Sequence, residues 1–143
     1  MGRKRYFSVE EANALVPTLE RRFGVILQIR AQLRRLYAEL ERLGAAPGEP
    51  PPPQRRDDSA VLAEGHFRGL RTALQQEIRA LEADGVTIKD LDAGTCEIPS
   101  LSGGREVLLC WQLGEKQIAT WHEPGQSAAC RQPLADAPPA RLH

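Results

Sequence analysis

The sequence predicts an α+β protein in which a helical part precedes a small antiparallel β-sheet. Three observations support this fold class. Apolar residues before Gly85 recur at helical spacing, short runs after it are rich in β-branched and aromatic types, and a proline-rich segment separates two long helical patterns. We therefore expect an antiparallel two-helix coiled-coil hairpin with a short N-terminal helix, followed by a small antiparallel β-sheet.

The first helical signal is a capping box. Ser8 and Glu11 have the spacing at which each side chain bonds the other's backbone N–H, which predicts a short helix over 9–15. Pro17 is disfavoured inside a helix but suits a first turn, so a long helix is expected to begin there and to end at Gly44. Its seam has the alternating spacing of a coiled coil, with one charged occupant. The seam positions are Leu19, Phe23, Ile26, Arg30, Leu33, Tyr37 and Leu40.

A proline-rich loop is expected over 44–57, where five prolines and two glycines exclude a helix. Asp57, Asp58 and Ser59 are good N-caps for a second long helix, which Gly85 ends. The two long helices have nearly equal length, and this favours an antiparallel pair. Because two helices cannot cover both of their apolar faces, we expect a homodimer.

The remaining residues predict the sheet. Strands are expected near Thr87–Lys89 and Thr95–Ile98, followed by a hairpin of Arg105–Leu113 and Lys116–His122 around a two-residue Gly114-Glu115 turn. The chain then divides into a helical hairpin over 8–84, a β-rich part over 85–134 and a frayed tail over 135–143. All three parts are expected to form a single domain, as the length of 143 residues suggests.

The predicted turn specifies a strand register. It places Val107 opposite His122 and Leu109 opposite Thr120, and it points Cys110 and His122 to opposite faces of the sheet. One face would carry Val107, Leu109, Trp111, Ile118 and His122, and the other Leu108, Cys110, Ala119 and Trp121. Since both sets are largely apolar, we expect the sheet to be covered on both sides.

Composition limits the classes of function. Nineteen basic residues balance nineteen acidic ones, which excludes a polybasic protein. No apolar run is long enough to span a bilayer, and no apolar stretch follows the basic residues at the start. Three cysteines without a CxxC pair favour a reducing compartment. We expect a cytoplasmic protein that does not enter the membrane.

Two kinds of polar site are compatible with the sequence. Cys96, Cys110, His122 and Cys130 are zinc-ligand types, but their spacing lacks a paired motif and the predicted register separates them, so no metal or cofactor is expected. Alternatively, a carboxylate such as Asp90 or Glu97 could hold His122 as a general base or ligand. Against this stands a structural role, in which His122 packs on Val107 and bonds the backbone.

Several motifs resemble a known prokaryotic family. These motifs are Tyr6–Pro17, Gly85–Asp90, Gly104–Glu115, Trp121-His122 and Arg131–Pro133. They are similar to the uncharacterised family catalogued as domain of unknown function 2203, which has no assigned activity. The resemblance implies five candidate ligand-binding residues, namely Asp90, Glu97, Glu115, His122 and Arg131.

The leading functional hypothesis is a non-catalytic cytosolic protein-interaction module that docks an unknown protein partner. Nucleophile elbows, P-loops and GxGxxG motifs are missing, so no catalytic residue is assigned and enzymatic activity stays open. The alternative is a small ligand- or metal-binding protein, or an enzyme, with a polar site around His122. Nucleic-acid binding along the arginine-bearing helix is not expected, because glutamates dilute its charge.

Overall fold

The computed structural model describes residues 5–48, 58–126 and 131–134, and its fold is α+β. Its elements are α1 (Val9–Ala14), α2 (Val16–Arg42), α3 (Asp58–Ala83), β1 (Thr87–Asp90), β2 (Thr95–Ser102), β3 (Arg105–Gln112), β4 (Thr120–His122) and β5 (Gln132–Pro133). The predicted fold class is thus confirmed. Most of the proline-rich segment, Cys130 and the tail over 135–143 lie outside the described residues.

The described residues form two compact units. The sheet unit contains those up to Phe23 and those from Arg79 onward, and the helical unit contains those from Gly24 to Ile78. None of the described helices combines the length and apolar character needed to cross a bilayer.

The capping box predicted at the start of the first helix is present. The Glu11 N–H donates to Ser8 Oγ at 3.0 Å, and the Ser8 N–H donates to Glu11 Oε1 at 2.9 Å. Leu15 caps α1, and α2 begins at Val16, so that Pro17 falls in the first turn of α2 as expected. Local rules therefore account for this boundary.

In the helical unit, contacts between α2 and α3 bury few residues. Leu40 and Ala45 form a buried cluster with Ala60, and the rings of Tyr37 and Phe67 lie 6.4 Å apart. Between Ile29 and Leu40 no residue of α2 is buried, and between Ala60 and Leu81 no residue of α3 is buried. The predicted seam is therefore only partly covered, and its coiled-coil packing stays a prediction.

The sheet is an antiparallel meander in the order β1-β2-β3-β4-β5. Its longest pairing joins β2 to β3 through a turn at Gly103 and Gly104, whose φ angles are +58° and +82°. Two successive positive φ angles favour glycine and give a turn that matches the strand twist. The tight hairpin thus lies one strand earlier than predicted.

The predicted register between β3 and β4 is wrong by one residue. Leu108, not Val107, pairs with His122, and Leu109 pairs with Trp121. The connection over 113–119 is not a two-residue turn, because its backbone bonds distant residues. The Leu113 N–H donates to the Gly94 carbonyl at 2.9 Å, and the Ile118 N–H donates to Asn13 Oδ1 at 2.7 Å.

This correction gives the sheet two unlike faces. The core face is buried and consists of Cys96, Ile98, Ser100, Val107, Leu109, Trp111 and Trp121. On this face the rings of Phe23 and Trp111 lie 5.7 Å apart. The opposite face, here called the recess face, includes Lys89, Glu97, Leu108, Cys110 and His122. Because the recess face carries the charged residues Lys89 and Glu97, the expectation that both faces are largely apolar is wrong.

Candidate functional site

The recess face opens into a cavity of about 380 Å³, here called the recess. Neighbouring strands supply its polar lining: Lys89 comes from β1, Glu97 from β2, Cys110 from β3 and His122 from β4, while Arg131 precedes β5. The volume falls in the range of small-molecule sites. A meander places these side chains together because successive antiparallel strands bring alternate residues to one face.

His122 lies at the base of this group and is 2% exposed. Its Nδ1 is 2.9 Å from the Glu123 carbonyl oxygen, and its Nε2 is 2.6 Å from Glu97 Oε2. Both ring nitrogens therefore have protein partners. The carboxylate contact and the backbone contact of His122, which the sequence assigned to two alternative roles, occur together, although His122 pairs with Leu108 and not with Val107.

These two contacts require a shared proton. A carbonyl oxygen and a carboxylate oxygen both accept hydrogen bonds, whereas a neutral imidazole has a single N–H. Two short contacts to two acceptors therefore need one additional proton, carried on the imidazole or on Glu97. In either location the Glu97–His122 pair has a net charge of zero.

The charge of the recess therefore comes from its other ionised side chains. Lys89 and Arg131 are the remaining charged residues in the lining, and both are cationic. Lys89 Nζ is 3.9 Å from Glu97 Oε1, the carboxylate oxygen that does not bond His122. With a neutral Glu97–His122 pair, the recess has a formal charge of +2 and a field that attracts anions.

The thiol in the recess is not a nucleophile. Burial, reinforced by the Glu97 charge, raises the pKa of Cys110 to about 12, and the nearby Arg131 only partly opposes this shift. Since the thiolate is the reactive form, Cys110 stays protonated and inert near neutral pH. It contributes a small apolar surface beside Leu108.

Of the five residues predicted for a site, the structure brings together Glu97, His122 and Arg131. The other two stabilise turns. Asp90 Oδ1 accepts the N–H groups of Asp92 and Ala93 at 2.9 and 3.1 Å. Glu115 Oε1 accepts the Gln112 N–H at 2.8 Å. Neither Asp90 nor Glu115 lines the recess.

Sequence reasoning missed Lys89 as a member of this group. Its side chain shares the recess face because β1 pairs with β2 and Ile88 lies opposite Cys96 on the other face. The alternation of Thr87, Ile88 and Lys89 carried this signal, but using it required the pairing of β1 with β2. Gln126 also lines the recess and comes from the segment after β4.

No group of three histidine, cysteine or acidic side chains in the described part of the chain is arranged to hold a metal ion. Cys96 lies on the core face, away from Cys110 and His122. The zinc set considered from sequence is thus divided between the two faces, and its fourth member, Cys130, lies outside the described residues.

The chain belongs to the family described as Uncharacterized conserved protein (DUF2203), whose model matches residues 5–134. The match includes both units and all residues of the recess. Comparisons with curated proteins and with solved structures gave no match. The function of the recess must therefore be argued from its chemistry.

Proposed function

We propose that this protein binds a small organic anion in the recess, through a carboxylate or phosphate group of the ligand. The observation that carries the proposal is the pair of acceptors around His122. Because that arrangement makes the Glu97–His122 pair neutral, the other charged side chains that line this small cavity, Lys89 and Arg131, give it a cationic lining.

The residues that line the recess offer charge to the anionic group of such a ligand and apolar surface to its carbon skeleton. A guanidinium presents paired donors that match a carboxylate or phosphate, so Arg131 would recognise the anionic group. The Lys89 ammonium would add charge without strict geometry. Leu108 and Pro124 offer apolar surface for a carbon skeleton, and Glu97 Oε1 offers an acceptor for a hydroxyl or amino group.

His122 has a positioning role in this proposal. It is buried, and both nitrogens are engaged, so it holds Glu97 in place and does not bond the ligand. This shifts the centre of the predicted site from the histidine to Glu97, Lys89 and Arg131.

The test is thermal unfolding with inorganic phosphate, acetate, succinate and glycerol phosphate at constant ionic strength. A ligand that binds only the folded state raises Tm with its concentration. We expect at least one of these anions to give a saturable rise, and Arg131→Gln to weaken its apparent affinity roughly tenfold or more.

The matched control is Lys116→Gln, because Lys116 is an exposed cation that pairs with Glu20 and does not line the recess. It should leave the anion response unchanged. If no anion acts below about 10 mM, or if Arg131→Gln and Lys116→Gln lower the response equally, the proposal is wrong.

A second variant tests the neutral pair itself. In Glu97→Gln the amide can donate to Nε2 while Nδ1–H donates to the Glu123 carbonyl, so the pair stays satisfied and neutral. Anion affinity should then change less than about threefold. A large increase would mean that the Glu97–His122 pair carries a net negative charge, which contradicts the proton count.

We also propose an arrangement for the two long helices and a cellular location. The contacts Leu40–Ala60 and Tyr37–Phe67 support an antiparallel arrangement of α2 and α3 in the helical unit. Free thiols at Cys96 and Cys110, on opposite faces of the sheet, support a reducing and therefore cytoplasmic location. A homodimer stays a prediction.

A further inference from the structure

The helical unit contains an apolar groove that its own residues leave open. The groove, here called the two-helix groove, has a volume of about 260 Å³ and is lined by Arg30, Leu33, Arg34, Tyr37, Phe67 and Leu74. Leu33, Phe67 and Leu74 are only half-buried, and Tyr37 is 40% exposed. Two helices alone thus leave much of this apolar surface in contact with water.

The same unit concentrates exposed apolar surface. Among the described residues, the exposed large hydrophobic side chains are Val25, Tyr37, Val61 and Leu62, and all four belong to the helical unit. Leu62 is 73% exposed, the largest fraction of the four. Of these four residues, Tyr37 lines the two-helix groove.

The charged residues that line the two-helix groove, Arg30 and Arg34, are both cationic. Residues 24–38 and 65–76 contain five arginines and no aspartate or glutamate. Arg30 and Arg34 line the groove directly, and the nearest carboxylates in sequence, Glu39, Glu64 and Glu77, lie just beyond these segments. A chain with a net charge of zero thus has arginines concentrated in the two segments that contribute the lining of this groove.

We infer that the two-helix groove binds an amphipathic helix of a partner protein whose apolar stripe is flanked by acidic residues. An apolar groove between helices suits a helix that inserts side chains at i, i+3 or i+4, and i+7. The positive charge of the arginines beside it would attract the flanking carboxylates and increase the association rate. The lining residues of α2 span about two turns, so a partner helix of about three turns would fill the groove.

The positive charge of the groove favours an acidic partner helix over a second copy of the chain. In a two-fold interface the same patch lies on both sides, so a second copy would bring arginines against arginines. Nucleic acid would match the positive charge of the arginines but gains little from the apolar side chains of Leu33 and Phe67. An amphipathic helix with flanking acidic residues complements both the positive charge and the apolar side chains of the groove.

The test is binding of a fluorescent helical peptide to the full chain, followed by anisotropy. The probe carries leucines at i, i+3, i+4 and i+7 with flanking glutamates, and the matched probe replaces the glutamates by lysines. We expect the acidic probe to bind at least roughly tenfold more tightly than the basic one, with an affinity that falls as salt rises. Equal affinities, or no binding of the acidic probe at about 1 mM, would overturn the inference.

Variants identify the surface that binds the probe. Arg34→Gln should weaken binding roughly fivefold or more, whereas Arg42→Gln should not, because Arg42 pairs with Glu39 outside the two-helix groove. Tyr37→Ala tests whether the apolar lining of the groove contributes to peptide binding. Since Tyr37 is 40% exposed, its replacement should weaken the peptide complex while circular dichroism shows an intact fold.

Two other outcomes would assign the groove to a different occupant and overturn the inference. If sedimentation shows a dimer that Tyr37→Ala dissociates, the occupant is a second copy. If a DNA or RNA oligonucleotide binds more tightly than the acidic probe, and Arg34→Gln weakens it while Tyr37→Ala does not, the surface is a nucleic-acid site. Anion binding in the recess is measured separately and does not affect these results.

Discussion

The core face and the recess face belong to the same strands but follow different physical rules. On the core face, Leu109 and Trp111 are buried among other apolar side chains, and their contribution scales with the area removed from water. On the recess face, the buried His122 contacts the carboxylate of Glu97, and polar groups in such a position require matched hydrogen bonds. Adjacent residues of one strand can therefore have unrelated roles, one structural and one available for binding.

The largest expected difference is between Leu109 and Leu108, identical residues on neighbouring positions of β3. Leu109→Ala on the core face should lower the free energy of unfolding by about 2–5 kcal/mol, because it leaves a cavity. Leu108 is half-buried beside the recess, and Leu108→Ala should cost about 1 kcal/mol. Urea unfolding of both variants measures the difference, and equal losses would mean that the two faces are equally packed.

The reactivity of the two cysteines tests whether water is excluded from the recess face as completely as from the core face. Burial raises the pKa of Cys96 and of Cys110 from the ordinary value of 9.0 to about 12. At pH 8 the thiolate population of each should therefore be about a thousandfold below that of an unburied thiol, and should rise about tenfold per pH unit.

Iodoacetamide labelling of the Cys130→Ser variant, followed by peptide mass spectrometry, measures both rates. We expect Cys96 and Cys110 to be labelled far more slowly in the folded protein than in urea at the same pH. Fast labelling of Cys110 alone would show that its thiol is solvated through the recess.

The stability of the protein should depend on whether the hydrogen bonds of the Glu97–His122 pair are kept. His122→Ala leaves Glu97 without its short partner and opens space beneath it, so we expect a loss of about 2–4 kcal/mol in unfolding free energy. Glu97→Gln preserves both hydrogen bonds, and its cost should be below about 1 kcal/mol. Chemical denaturation at neutral pH compares the two, and an equal cost would contradict the proposed donor arrangement.

The smallest effect is expected at Asp90, which was predicted as a site residue but lies in a turn. Asp90→Ala removes an acceptor for the N–H groups of Asp92 and Ala93, and should cost about 1 kcal/mol of stability. Anion-induced changes in Tm should match those of the unchanged protein. A selective loss of anion response would place Asp90 in the site.

Much of the helical part and of the turn structure could be predicted locally. The Ser8–Glu11 capping box, Pro17 in the first turn of α2 and the helix stop at Gly85 depend on neighbouring residues alone. The candidate site was predicted only in part. Glu97, His122 and Arg131 were included, whereas Lys89 was missed because its place depends on strand pairing.

The sequence by itself determined the α+β class and the approximate helix boundaries, since periodicity and capping act over a few residues. Only the tertiary structure decided which face of the sheet each strand residue occupies. The connection over 113–119 bonds Gly94 and Asn13, and these distant partners shift β4 by one residue. Because side chains alternate along a strand, that single shift moves His122 onto the face of Glu97 and Cys110.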